Sequence, residues 1–346
     1  GLDRPEKFLS SEFDRIVIDE VTQVTERAWE TLISRLRGKA PVYKQIVGGC
    51  NPDHPFHWMK LRADRGGMVM LNSTHRDNPA YFTADGQPTA AGRDYMAKLG
   101  ALTGVRKKRL LEGLWLAAEG VGFEFDQATH FVDPFDPPAE WTRFLSVDFG
   151  FTNPFVAQWW CLDPDGRMYR FREHYYTQRL VEDHAAAILR RCSRPDPDYV
   201  HPAGEPRYAY HGRVWTEPRP RAVVCDHDAE DRATLERHLG MSTVAATKTV
   251  KDGLEAVQSR MKVAGDGRPR LFLMRDALVE RDVALEEAKK PTCTEEEVGG
   301  YVWAPGVDGR PLKEEPLKMD DHGCDAMRYA VAEIDLAARP RVRILG

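Results

Sequence analysis

Hydrophobic and polar positions along the chain alternate between short apolar runs and amphipathic stretches, the pattern of an α/β protein. In the first third, Arg15-Ile16-Val17-Ile18-Asp19 predicts a buried strand, and Glu26–Leu36 a helix with Trp29, Leu32 and Ile33 on one face. Tyr43–Val47 predicts a second strand ending at Gly48-Gly49, and Met68–Leu71 a third. A basic helical region runs from about Gly92 to Trp115 and contains Arg106-Lys107-Lys108-Arg109. Gly120-Val121-Gly122 and the Pro-rich stretch Asp133–Pro138 predict a linker.

Beyond the linker, Arg143–Asp148 predicts a strand ending in a carboxylate. Phe155–Leu162 and Met168–Glu173 flank Asp163-Pro164-Asp165-Gly166, a hairpin turn. Leu180–Arg191 predicts a helix. Residues 195–220 contain six prolines and little periodicity, which predicts a surface insertion. Ala222–Asp226 predicts another strand ending in Asp, with helices at 231–239, 250–262 and 276–288 and a last one from about Asp320.

Composition narrows the class. The chain has 346 residues, 42% hydrophobic and 30% charged, which fits two globular domains and excludes disorder or a coiled coil throughout. No apolar run approaches the ~20 residues that span a bilayer, so no membrane partner is expected. Six scattered cysteines (50, 161, 192, 225, 293, 324) include no close pair and predict reduced thiols in a cytosolic compartment. The net charge of -5 is unevenly spread: residues 1–120 hold 18 Lys+Arg against 15 Asp+Glu, while the rest holds 31 against 39. The acidic part argues against a broad nucleic-acid face there, but not against carboxylates gathered around metal ions.

Two constellations carry possible chemistry. In Phe13-Asp14-Arg15-Ile16-Val17-Ile18-Asp19-Glu20, an apolar strand ends in Asp-Glu, the Walker B arrangement, where Asp holds Mg²⁺ and Glu polarises the attacking water. Many α/β strands end in acids for no catalytic reason. The following strand adds weight, since Gly48-Gly49-Cys50-Asn51-Pro52 puts Asn51 at its tip, within reach of a γ-phosphate. Gly-x-x-x-x-Gly-Lys-[Ser/Thr], the phosphate-cradling loop, occurs nowhere. The expectation is a chain that begins inside an ATPase domain and does not turn over ATP by itself.

The second constellation is three carboxylates far apart in sequence. Asp148 ends one strand, Asp226 ends another in Cys225-Asp226-His227-Asp228, and Asp325 lies in Asp321-His322-Gly323-Cys324-Asp325 at the start of the last helix. Acids fixed on separate elements can hold two cations about 4 Å apart, which activate a water and stabilise the leaving oxygen of a phosphodiester. Mg²⁺ prefers such oxygen ligands. Each acid also has a structural reading: Asp148 as a turn residue, Asp228 or Asp231 as the cap of the helix at 231–239, Asp320 or Asp321 as the cap of the last helix. The strand–strand–helix order with an intervening hairpin is that of RNase H-like folds. Lys248, Lys251 and Arg106–Arg109 could meet phosphate, but solvated lysines and a solvated helix face explain them as well. The eleven histidines show no zinc spacing.

Taken together, FDRIVIDE (13–20), GGCNPDHPFHW (48–58), STHRDNPAYF (73–82), EGLWLAAEGVGF (112–123), FLSVDFGFTNP (144–154), VCDHDAED (224–231) and DDHGCDAMRYAV (320–331) resemble the tailed-phage terminase large subunit. The resemblance runs over nearly the whole chain in the family's order. It implies an α/β protein with a partial RecA-like P-loop ATPase domain at 1–120, a linker at 121–138 and an RNase H-like mixed-sheet nuclease domain at 139–346. It implies an endonuclease that cuts concatemeric double-stranded viral DNA, coupled in the full-length protein to ATP-driven packaging into the procapsid. Implied partners are the portal protein and the small terminase subunit, with an oligomer on the portal in the host cytoplasm.

Carried over by position, Asp19 is the Mg²⁺ carboxylate of the ATPase, Glu20 its catalytic acid and Asn51 the coupling residue. Asp148, Asp226 and Asp325 are the nuclease acids, with Asp321 and His322 as auxiliary ligands of Mg²⁺ or Mn²⁺. The second motif offers both Asp226 and Asp228; Asp226 is favoured because it directly ends its strand. Two rival readings remain open: another RNase H-like enzyme of resolvase or transposase type, and a catalytically inactive fragment that serves as a binding module.

Overall fold

The computed structural model describes residues 5–39, 43–55, 57–102, 104–116, 123, 125–246, 249–301, 303–305, 311–316 and 320–336. The chain divides into two units, one of residues 1–121 with 286–289 and one of 122–285 with 290–346. No helix among the described residues is long and apolar enough to cross a membrane.

In the first unit, β1 (Arg15–Asp19) and β2 (Gln45–Gly49) pair in parallel, with Asp19 opposite Gly49. Between them runs α1 (Glu26–Ile33), whose N-cap Thr25 accepts a hydrogen bond from the Ala28 amide. Its Ala28, Trp29 and Leu32 pack with Ile18, Val21 and Met59, the last from α2 (Trp58–Asp64). The expected buried strand is buried on one face only: Ile18 is enclosed, whereas Val17 is 80% exposed. The basic region forms two helices, α3 (Ala90–Gly100) and α4 (Gly104–Glu112). The strand expected at Met68–Leu71 does not form. Met68 and Met70 pack on the core while Val69 and Leu71 stay exposed, but the segment joins no ladder among the described residues.

The second unit opens with α5 (Gln127–His130) and β3 (Phe131–Val132), followed by the meander β4 (Thr142–Asp148), β5 (Phe155–Leu162) and β6 (Met168–Tyr176). Part of the stretch expected to be a linker is thus structured. The chain continues through α6 (Val181–Cys192), β7 (Ser193–Pro195), β8 (Arg213–Trp215), β9 (Ala222–Cys225), α7 (Ala229–Leu239), β10 (Val244–Ala245) and α8 (Val250–Met261). It ends with β11 (Leu271–Met274), α9 (Val283–Glu287), α10 (Thr294–Val298), β12 (Trp303–Pro305), β13 (Pro311–Pro316) and α11 (His322–Asp335).

Seven strands make one mixed sheet in the order β10-β9-β4-β5-β6-β11-β3. The β4–β5–β6 meander is antiparallel, and β9, β10, β11 and β3 join in parallel. An antiparallel meander whose first strand is continued on its outer side by two further strands parallel to it is the RNase H-like order that the sequence predicts. The β5–β6 turn closes as expected, with the Asp163 amide donating to the Arg167 carbonyl and Gly166 at φ +80°, a backbone region glycine reaches without steric cost. The insertion at 195–220 is pinned by the small antiparallel pair β7–β8.

Strand periodicity sorts the sheet's two faces. Leu145, Val147, Phe155, Ala157, Trp159, Val223 and Cys225 pack with Ala185, Ile188 and Leu189 of α6 and with Leu235 and Leu239 of α7. The intervening positions face α11: Val156 meets Ala326, and Val224 meets Tyr329. Sequence reading missed β11, a fully buried run of only four residues, and α10, and it extended α9 over 276–288.

Candidate active site

The same periodicity delivers the site. With Val147 and Cys225 paired in register and turned toward α6 and α7, the next residue of each strand turns to the opposite face. Those residues are Asp148 and Asp226. The Asp226 amide donates to the Val147 carbonyl at 3.1 Å, which holds the two strand ends together. From above, α11 supplies His322, Asp325, Arg328 and Tyr329. These side chains, with Asp320 and Asp321, line one cleft of about 600 Å³ that also reaches Asn153 and Lys290.

Asp148 and Asp325 are equally buried at its centre, each 6% exposed. One carboxylate oxygen of Asp148 is 3.0 Å from Nδ1 of His322, and the other accepts the Tyr329 hydroxyl at 3.1 Å. Burial pushes its carboxyl up to about 6; the His322 hydrogen bond opposes this, while Asp325 and Asp226 add to it. Burial works against charge on His322, yet the hydrogen bond and charge of Asp148, with Glu297 and Asp321 behind, hold its pKa above the ordinary imidazole value. Asp325 receives Nε and Nη2 of Arg328, each at 3.1 Å. Asp320 takes a left-handed backbone, φ +49°, a conformation Asp tolerates better than most residues.

Asp226 and Asp228 part company. Asp228 is the N-cap of α7, and its Oδ1 accepts the Glu230 and Asp231 amides at 3.0 Å. Asp226 lines the cleft and Asp228 does not.

Five carboxylates with a histidine suit a hard divalent cation. Among the described residues, however, no three His, Cys, Asp or Glu side chains already surround one point as a metal cage. His322 and Tyr329 each take one oxygen of Asp148, and Arg328 takes Oδ1 of Asp325. The donor chemistry of these acids and of His322 fits the ion.

In the other unit, Asp19 ends β1, and Asn51 lies two residues beyond Gly49, the strand-register partner of Asp19. Both sit at the C-terminal ends of parallel strands, where α/β sheets place ligands. Glu20 adopts φ +50° and its amide donates to Oδ1 of Asp19 at 3.1 Å. Of the basic candidates, Arg109 is engaged by Asp53 at 2.6 Å and by the Leu116 carbonyl; Lys248 and the Arg106 side chain lie outside the described residues.

No protein-family model matches the chain, and no curated protein matches it. Solved structures do. The chain is similar to phage large terminases. The large terminase of the thermophilic bacteriophage D6E in complex with ADP is 23% identical with a TM-score of 0.45, covering 96% of this chain and 72% of that one. The P22 large terminase nuclease domain is 17% identical with a TM-score of 0.40, covering 61% and 91%. The HK97 bacteriophage large terminase is 12% identical with a TM-score of 0.32, covering 93% and 70%.

Sequence reading missed the polar framework beneath the site. Gln158, Glu173, Tyr175, Thr294 and Glu297 are all buried, and their hydrogen bonds end on Gly323 and Cys324 in the first turn of α11. A Gln and a Glu within strands were the available signal, since buried polar strand residues need partners.

Proposed function

We propose that the second unit is a metal-dependent endonuclease of the large-terminase type, acting on double-stranded viral DNA. The observation that carries this reading is the convergence of Asp148, Asp226 and Asp325, from two strand ends and a helix, on one open polar cleft. Asp148, Asp226 and Asp325 would hold Mg²⁺ or Mn²⁺, with Asp321 and His322 as further ligands. Bound there, such ions supply Lewis acidity and a water activated at neutral pH. The chain's own residues do the rest. His322 and Tyr329 orient Asp148 through its two oxygens, Arg328 balances the charge of Asp325, and Lys290 gives the acidic cleft a cation to meet a backbone phosphate. Phosphates look alike at every base step, so cleavage carries little sequence preference.

The first unit is read as part of a packaging ATPase, with Asp19, Glu20 and Asn51 facing ATP and Mg²⁺. Its support is their place at the ends of adjacent parallel strands. Coupling to packaging through a portal protein and a small terminase subunit, in the host cytoplasm, belongs to the same reading.

Supercoiled-plasmid cleavage with Mg²⁺ or Mn²⁺ tests the nuclease. Wild type should nick and linearise the plasmid, and Asp148→Asn and Asp325→Asn should not, with circular dichroism confirming their folds. A wild type inert across both metal titrations, or active mutants, would defeat the assignment.

A further inference from the structure

The helix that brings Asp325 and His322 to the cleft is not capped by its own N-cap side chain. Asp321 is the N-cap residue of α11, but its side chain makes no capping hydrogen bond. The cap comes from α10. Glu297, 1% exposed, accepts the Gly323 amide through Oε1 at 3.0 Å and the Cys324 amide through Oε2 at 2.9 Å, and the Tyr175 hydroxyl also donates to Oε1 at 2.6 Å. These are first-turn amides of the kind a helix leaves without an intrahelical acceptor, and a carboxylate there also suits the helix dipole.

The same turn is held from a second side. Gln158 Nε2, with two hydrogens to share, lies 2.9 Å from the Gly323 carbonyl oxygen, 2.7 Å from Thr294 Oγ1 and 3.0 Å from Glu173 Oε1. The Thr294 amide in turn donates to Glu173 at 3.1 Å. Gly323 lies so close to α10 that an added Cβ would come within 2.0 Å of Thr294 Oγ1. The start of α11 is therefore fixed in height and rotation by α10 and by the two strands beneath.

We infer that Glu297 is a positioning residue for the metal site: by capping α11 from outside, it sets His322 and Asp325 against Asp148 and leaves the Asp321 carboxylate among the groups lining the cleft. A local Asp321 cap would turn that carboxylate back onto the helix amides. An external cap satisfies the same donors without drawing an acid out of the site. The inference rests on the reading of the cleft as a metal-dependent nuclease centre.

Glu297→Gln tests it. The variant keeps size and shape, but its amide nitrogen must face at least one of the three donors now directed at the carboxylate. Two readouts are taken on the full chain: Mn²⁺ binding, from the electron paramagnetic resonance signal of free Mn²⁺, and plasmid cleavage across a Mn²⁺ titration. Outer-sphere partners of metal ligands shift metal affinity by about 10–100-fold. We expect Glu297→Gln to remain folded, to bind Mn²⁺ about tenfold more weakly, and to need about tenfold more Mn²⁺ for half-maximal cleavage, with most of the rate restored at saturation. A purely structural cap would lower the melting temperature and leave the Mn²⁺ dependence where it was. Glu297→Asp, which keeps the carboxyl but withdraws it by one methylene, should shift Mn²⁺ dependence in the same direction. Wild-type Mn²⁺ affinity in either folded variant overturns the inference. Wild type that binds Mn²⁺ tightly but cuts nothing overturns the nuclease reading alone, and the loss of Mn²⁺ affinity in Glu297→Gln would then still support the positioning role.

Discussion

Nδ1 of His322 stands 3.0 Å from Oδ2 of Asp148, joining the first residue of the last helix to the last residue of a strand 174 positions earlier. With Tyr329 on the other oxygen, Asp148 is held from one helix by two side chains. The fold thereby places a carboxylate where charge is costly, and that cost governs how the protein responds to pH and to cations.

The first prediction concerns this linkage. The Asp148 carboxyl is raised to about 6 by burial, against the His322 hydrogen bond. A carboxyl whose folded pKa exceeds its unfolded value contributes stability below about pH 4, and that contribution is lost as pH rises through 6. A cation in the cleft would offset the loss, so Mn²⁺ should raise the melting temperature by a few degrees at pH 8 and hardly at pH 5. Asp148→Asn, lacking the charge, should be more stable than wild type in metal-free buffer at pH 8, by up to about 3 kcal/mol, and should lose most of the Mn²⁺ response. Differential scanning calorimetry with and without chelator reads both. An Mn²⁺ shift of equal size at pH 5 and pH 8 contradicts the linkage.

Gly150 supports the second. A Cβ at this position would come within 2.4 Å of the Pro154 carbonyl oxygen and 2.5 Å of that of Asn153. Both are backbone atoms, so neither can swing aside. The loop from Phe149 to Pro154 carries Phe149 and Asn153, which line the cleft. Gly150→Ala should cost about 1–3 kcal/mol of stability by overpacking and should reduce cleavage more than metal binding. Denaturant unfolding and plasmid nicking measure the two; a fully active Gly150→Ala variant of unchanged stability refutes the argument.

How much of this was legible in the sequence follows from the range of the forces involved. The Asp163–Gly166 turn and the apolar runs beside it determine the β4–β5–β6 meander locally, and strand ends locate Asp148 and Asp226. The order of the acids then suggested their convergence. Leu271–Met274 escaped notice because four apolar residues carry no period, and only its neighbours β6 and β3 make it a strand. Met68–Leu71 has the right alternation but no ladder partner. Glu297 was invisible for a different reason: its role depends on amides 26 and 27 residues later, and on Tyr175, 122 residues earlier. No local pattern encodes such a meeting.

A third prediction arises away from the cleft. His174 and His184 are buried, with Nε2 of His174 2.9 Å from Nδ1 of His184 and the His184 ring stacked on Phe155 at 3.9 Å. Burial lowers their pKa values to about 4 and about 3, helped by nearby arginines for His174 and by His174 itself for His184. Both rings are therefore neutral in the fold but protonate in the unfolded chain below about pH 6.5. Bases depressed by folding contribute stability above pH 6.5 that is lost as pH falls toward 4. Asp148 runs the opposite way over much of this window, so the pair's share must be read as a difference. The fall in melting temperature from pH 6.5 to 4.5 should be shallower in His184→Phe than in wild type, and histidine NMR should show neither ring titrating above pH 5. A ring titrating near 6.5 would refute this.

The last prediction sets Arg328 against a cation. Its Nε and Nη2 both reach Oδ1 of Asp325 at 3.1 Å, and the residue is 3% exposed. Its stem is seated against Gly253 of α8, where an added Cβ would come within 2.7 Å of Arg328 Cγ. The guanidinium is thus held in place by packing and supplies positive charge beside the third acid whether or not an ion is bound. Removing one partner of a buried pair costs about 3–5 kcal/mol when the remaining charge is left in low dielectric. The open side of the cleft moderates that figure. Arg328→Met, which keeps the stem and deletes the charge, should therefore lose about 2–3 kcal/mol in metal-free buffer at pH 8. Because the guanidinium and a divalent ion compete for the same Asp325 oxygen, Mn²⁺ should recover more stability in the variant than it adds to wild type. Calorimetry across a Mn²⁺ titration compares the two increments. Equal increments would show that Arg328 and the cation use different faces of Asp325, and a smaller one in the variant would show that the guanidinium helps to build the cation site.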